Sequence, residues 1–163
     1  MPMAVERDTV TFVCTGNTCR SPMAEGLLRA AMAKRGGGLE KLKVVSGGLA
    51  AYAGDPASAN SVKAMARIGL DIRDHRSQLL TQAEVDRSLV IFGMTESHLA
   101  ALHARFDRLP EHVMLLRDVM KTDDPRGVAD PFGGGYRDYE ECRDSMVEAV
   151  PALLEFLQQI ISL

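Results

Sequence analysis

The 163-residue sequence lacks any uninterrupted apolar run of the roughly 18 residues needed to cross a bilayer, so no membrane span is expected. Its opening, Met1-Pro2-Met3-Ala4-Val5-Glu6-Arg7-Asp8, lacks the hydrophobic core of a secretory signal, and the expected compartment is the cytoplasm. Nor is there a surplus of basic charge. Lys and Arg number 19 against 22 Asp and Glu, net −3, so no overall basic field invites nucleic acid. Cysteine is scarce. Three residues, an odd number, argue against a disulfide framework and for free thiols, one of them a candidate for reactivity. Internal repeats, low-complexity tracts and linker-length loops are also missing.

What is present is ordinary globular composition, 46% apolar and 25% charged, which excludes disorder as the main state. The length suits one domain, residues 1–163, whose core can close without disulfides or metal. Four short apolar runs read as strands buried on both faces: Val10-Thr11-Phe12-Val13, Val44-Val45, Leu89-Val90-Ile91-Phe92 and Val113-Met114-Leu115-Leu116. Helical patterns lie between them. Met23, Leu27, Leu28 and Ala31 share a face that Gly36-Gly37-Gly38 ends. Val62, Met65 and Ala66 mark a second helix stopped near Gly69, and a third runs through Leu99 and Leu102. The last carries Cys142, Met146, Ala149, Val150, Leu153, Leu157 and Ile160 at three- and four-residue steps, with Pro151 expected to kink or break it. Strands alternating with helices predict one three-layer α/β domain, a four-stranded parallel sheet flanked by helices. Ligands on such sheets bind beyond the carboxyl ends of the strands, which directs attention to the segment after Val13.

That segment reads Cys14-Thr15-Gly16-Asn17-Thr18-Cys19-Arg20-Ser21-Pro22, with Pro22 suited to the first helical position. A loop feeding a helix N-terminus points backbone N–H groups inward and adds the positive end of the helix dipole. Gly16 and Asn17 tolerate left-handed backbone, which lets successive amides converge on an anion. Arg20 adds a planar, permanently charged fork matched to phosphate oxygens. The same positive surroundings favour a thiolate at Cys14. A dianion cradle, Thr15 to Cys19, with a nucleophile at its centre points to phosphoryl transfer to cysteine. The loop is not an ATP-binding loop, because no Gly-Lys-Ser/Thr closes it. Four residues separate Cys14 from Cys19, so it is no thioredoxin motif, and no second Cys/His pair suggests zinc. Neither metal nor cofactor is expected.

The stretch from Val13 to Glu25 resembles the signature of the low-molecular-weight protein tyrosine phosphatases. Ser46-Gly47-Gly48 (read as a turn), Asp74-His75-Arg76-Ser77 and Asp130-Pro131-Phe132 follow in that family's order over nearly the whole chain. The resemblance implies a phosphatase I-like fold, with phosphorylated proteins or peptides as partners. It makes Cys14 the nucleophile, Arg20 the phosphate clamp and Ser21 the partner of the departing sulfur. Asn17, Ser46 and His75 become the network that holds the loop. Asp130 becomes the general acid, favoured over the competing Asp124-Pro125 by Phe132 and by Gly133-Gly134-Gly135. Tyr52 and Phe132 are the implied pocket walls. Cys19 is the implied redox partner of Cys14, able to spare the nucleophile from irreversible oxidation. Cys142 reads as core, and His98, His103 and His112 as ordinary surface histidines.

Two departures bear on substrate. Position 18 is Thr18 where tyrosine-specific members carry an apolar residue, and the acid loop has glycines where they have a second aromatic. Both resemble the bacterial protein-arginine phosphatases of the family, and a polar wall suits a guanidinium better than a phenyl ring. Phosphoarginine is the expected substrate, with phosphotyrosine, which Tyr52 favours, as the alternative. An arsenate reductase would need further resolving cysteines. A non-catalytic phosphoprotein-binding module would have lost Cys14, Arg20 or Asp130.

Overall fold

The structure, a computed structural model, describes residues 6–121 and 127–162. Four strands form one wholly parallel sheet: β1 (Thr9–Cys14), β2 (Lys43–Gly48), β3 (Ser88–Gly93) and β4 (His112–Leu115), in spatial order β2-β1-β3-β4. Among the described residues five α-helices accompany them: α1 (Arg20–Arg35), α2 (Ala59–Ala66), α3 (Gln82–Arg87), α4 (Glu96–Arg105) and α5 (Tyr136–Ile161).

The alternation of β1 sorts the two cores. Val10, Phe12 and Cys14 face a large cluster built with Met23, Leu27 and Leu28 of α1 and Cys142, Met146, Leu153 and Leu157 of α5. Val13 faces the other way, onto Leu80, Val85 of α3, Ile91 and Leu102 of α4. Phe12 stacks on Phe92 of β3 with ring centroids 5.6 Å apart, and Phe92 meets Phe156 edge-on at 6.1 Å. Each such buried side chain contributes about 1.5–3 kcal/mol, and this two-sided burial is why the strands read as continuous apolar runs. From β1 the chain moves to β2 on one side and returns to β3 on the other. That reversal opens a crevice at the carboxyl end of β1, where Cys14 ends the strand.

Three sequence expectations are corrected. Pro151 does not break α5, which runs unbroken from Tyr136 to Ile161 with the proline inside it. Ala149 and Leu153, buried on either side of it, supply packing that outweighs the roughly 3 kcal/mol a helical proline costs. Ser46-Gly47-Gly48 is not a turn but the end of β2, paired with Phe12, Val13 and Cys14. Pro22 stands third in α1, still within the first turn, where no intrahelical N–H is needed. The six-residue α3 escaped sequence reading, since Val85 is its one buried residue and leaves no periodic stripe.

Candidate active site

Cys14 is buried at the end of β1, and its Sγ lies 2.9 Å from the Ser21 hydroxyl on the first turn of α1. Asn17 is the one residue of this loop with positive φ, at 56°, while Gly16 keeps ordinary backbone. Left-handed backbone costs a non-glycine residue about 1–3 kcal/mol, so it persists only where the surroundings enforce it. Here they do. Asn17 Nδ2 donates to Ser21 Oγ at 2.8 Å and to Ser46 Oγ at 3.0 Å. Its Oδ1 accepts the Gln78 N–H at 2.9 Å, and its carbonyl accepts from His75 Nε2 at 2.7 Å. The network implied for Asn17, Ser46 and His75 is therefore assembled, with Gln78 as a member the sequence did not mark. Because Ser21 Oγ already accepts from Asn17, its own proton is left for the Cys14 sulfur.

The far side of the loop is tied down by backbone. The Leu49 and Ala50 N–H groups donate to the carbonyls of Cys14 and Thr15, and the Ser58 N–H donates to that of Thr18. Gly48 makes this approach possible. A Cβ there would lie 2.6 Å from Ala51 Cβ and 2.7 Å from the Thr15 carbonyl oxygen. Cys19 is buried, its Sγ 3.6 Å from Ser58 Oγ and 3.7 Å from Tyr139 Oη of α5. All three cysteines are free thiols. Cys142 is core as expected, and burial pushes its thiol up to about 12.

Arg20 is the first residue of α1 and buried. It donates to the Val128 carbonyl at 3.0 Å, and its other terminal nitrogen lies 3.5 Å from the Asp130 carboxylate. One guanidinium thus joins the loop after β1 to the segment around Asp130. Asp130 is half exposed and accepts the Phe132 N–H at 3.1 Å, an arrangement local to its own turn. The competing Asp124-Pro125 lies outside the described residues.

A cavity of about 230 Å³ is lined by Cys14, Thr15, Gly16, Thr18, Cys19, Arg20, Asp130 and Phe132. Among the described residues three larger hollows, of about 250, 490 and 530 Å³, do not reach Cys14. Tyr52 is absent from the small cavity's lining. Its side chain is 82% exposed, and its carbonyl accepts from the Ser77 hydroxyl. Among the described residues no His, Cys, Asp and Glu cluster could hold a metal ion, and no helix is long and apolar enough to cross a membrane.

His98, expected at the surface, is buried. It is 3% exposed, at the start of α4, and its Nε2 lies 3.1 Å from Thr15 Oγ1. Burial, reinforced by the Arg20 charge, holds its pKa at about 4, below the usual 6.5. Nothing local in the sequence marks it, because its partner is 83 residues away. His112 is half-buried, edge-on to Phe156, and His103 is exposed.

A strand-end cysteine seated in a hydrogen-bonded loop, an arginine opening the next helix and an aspartate across the cavity define a cysteine-dependent phosphatase site. The family model described as low molecular weight phosphotyrosine protein phosphatase matches residues 9–162, and the chain belongs to that family. A protein-arginine-phosphatase of Geobacillus stearothermophilus is 33% identical, over 91% of this chain and 95% of its own length. The crystal structure of a low molecular weight protein tyrosine phosphatase from T. tengcongensis, 30% identical, superposes with a TM-score of 0.82 over 90% of this chain and 97% of that one. Arsenate reductase 1 of Staphylococcus epidermidis is 27% identical over 90% of this chain and 95% of its own length.

Proposed function

We propose that the protein hydrolyses phosphorylated protein side chains through a phosphocysteine intermediate, with phosphoarginine the preferred substrate. The Cys14 thiolate attacks phosphorus while the Arg20 fork and the loop amides hold the phosphoryl oxygens. The bond to the leaving nitrogen or oxygen breaks as Asp130 gives that atom its proton. Asp130, now a carboxylate, takes a proton from water as the water attacks the phosphocysteine. Phosphate departs, and the Ser21 hydroxyl stabilises the sulfur anion released.

The observation that carries the substrate reading is the cavity wall. Thr15, Thr18 and Asp130, which carry oxygens able to accept hydrogen bonds, line it, and among the described residues its one ring is Phe132, itself 78% exposed. A guanidinium brings several N–H donors that need acceptors, and a phenyl ring brings none. Tyr52, the feature that favoured a phenyl ring, stands outside that lining. The arginine-phosphatase relative supports the same reading. An arsenate shuttle needs an accessible resolving thiolate, and Cys142, buried with its pKa pushed up to about 12, is poorly suited. A binding-only module is disfavoured because Cys14, Arg20 and Asp130 are all retained. Free thiols fit a reducing compartment, the cytoplasm.

The test is the ratio of kcat/KM for a phosphoarginine and a phosphotyrosine peptide in the wild type and in Thr18→Ile. Loss of one hydrogen bond to a charged group should move the ratio toward phosphotyrosine by about ten- to a hundredfold. A wild type that prefers phosphotyrosine overturns the substrate reading, and an unchanged ratio removes Thr18 as its determinant.

A further inference from the structure

His98 belongs to α4, on the opposite side of the sheet from α1, yet its ring reaches the loop that holds Cys14. Its two nitrogens are not equivalent. Nδ1 faces two backbone donors, the Met94 N–H at 3.1 Å and the Thr95 N–H at 3.3 Å, in the turn that leads into α4. Both are obligatory donors, so Nδ1 must accept, and the proton of the neutral ring sits on Nε2. Nε2–H therefore donates to Thr15 Oγ1, 3.1 Å away. The Thr15 hydroxyl, having accepted, turns its own proton elsewhere, and Thr15 is exposed and lines the 230 Å³ cavity with Cys14 and Arg20. Accepting one hydrogen bond also polarises a hydroxyl into a better donor.

We propose that His98 is a positioning residue of the phosphate site: fixed as its Nε2–H tautomer by the turn before α4, it holds the Thr15 hydroxyl as a side-chain donor to an anion bound in the Cys14 loop. The charged groups acting on the ring agree with this. Arg20 disfavours a second proton on it and Asp130 favours one, and with burial added the ring stays neutral to about pH 4. A protonated ring would aim Nδ1–H at two N–H donors and break the arrangement. The inference rests on reading the loop as a phosphate cradle, and not on which phosphorylated side chain is the substrate.

The experiment measures competitive inhibition by inorganic phosphate, with p-nitrophenyl phosphate as substrate, alongside the thermal midpoint. In His98→Asn the side-chain oxygen can replace Nδ1 as acceptor for the turn, but nothing reaches Thr15. Phosphate affinity should fall about tenfold with little change in midpoint. His98→Gln places an amide near the Nε2 position and leaves the turn donors unpaired. It should recover most of the affinity at a lower midpoint. Thr15→Val should weaken phosphate as much as His98→Asn, and the double variant should be no worse than either. If His98→Asn does not fold, the same cycle is run with His98→Ala and Thr15→Val, where a loss in His98→Ala equal to that in Thr15→Val, with no further loss in the double variant, is expected. Unchanged affinity, additive losses, or losses that follow the midpoint across the series overturn the role of His98. A wild type that phosphate does not inhibit overturns the cradle reading along with it.

Discussion

The loop after β1 and the segment around Asp130 meet across one cavity, and they are held in opposite ways. Asn17 is wholly buried, in left-handed backbone, with bonds to Ser21, Ser46, His75 and Gln78. Asp130 is half exposed, held by one N–H of its own turn and by Arg20. The first arrangement suits a task that does not change during turnover, presenting donors to the same phosphoryl oxygens in both steps. The second suits a group that must give a proton to one partner and take one from another. On the proposed mechanism, rigidity falls where charge is bound, and exposure where a proton must pass.

Substitutions on either side should break this contrast differently. The largest effect is expected for Cys14→Ser, which should abolish turnover yet keep vanadate binding, since the donors remain. Acid-quenched wild type incubated with a labelled substrate should carry phosphate on Cys14. Appreciable turnover by the serine variant would defeat the covalent mechanism. Asp130→Ala should slow substrates with poor leaving groups by about a hundred- to ten-thousandfold and activated aryl phosphates far less, as rates across a leaving-group series would show. The same pattern in Asp124→Ala in place of Asp130→Ala would move the acid.

Asn17→Ala strikes the rigid partner. It leaves the Gln78 N–H without its acceptor and puts alanine in left-handed backbone, so denaturant unfolding should show a loss of about 3 kcal/mol. Phosphate affinity should fall with it, whereas Asp130→Ala should leave stability unchanged. The smallest effect concerns His98. Its folded pKa, about 4, lies below the ordinary 6.5, so between these values the unfolded chain binds the extra proton. Stability from this group is intact above pH 6.5 and is lost as pH falls toward 4, amounting to about 2–3 kcal/mol. Unfolding free energies of wild type and His98→Asn, close to each other above pH 6.5, should therefore separate as pH is lowered through this window, the wild type losing more. Parallel curves would show that His98 is not held neutral.

Much of this arrangement is legible in the chain itself, and what is not has a common physical cause. The strands stand out because burial on both faces demands unbroken apolar runs, as at Leu89-Val90-Ile91-Phe92. Cys14 through Ser21 stand out because strand, loop and helix start are contiguous, so one short stretch carries the thiol, the loop and the arginine. His98 and Gln78 do not stand out, because each acts only where separate loops converge, and neither carries a local pattern. Pro151 misleads for the converse reason. A local rule about one N–H is outweighed by packing against elements far away in the chain, α1 among them. Tyr52 was placed by resemblance, and its side chain does not line the cavity with Cys14.

Gly48 bears on how such a site can change over time. Here the constraint falls on a position with no side chain at all, since even a single methyl group there would collide with Ala51 and with the Thr15 carbonyl. Tyr52 and Phe132 can drift more freely, because their side chains are largely exposed. Position 48 has an alphabet of one letter, so descent can explore new specificities around this loop only while that letter stays fixed.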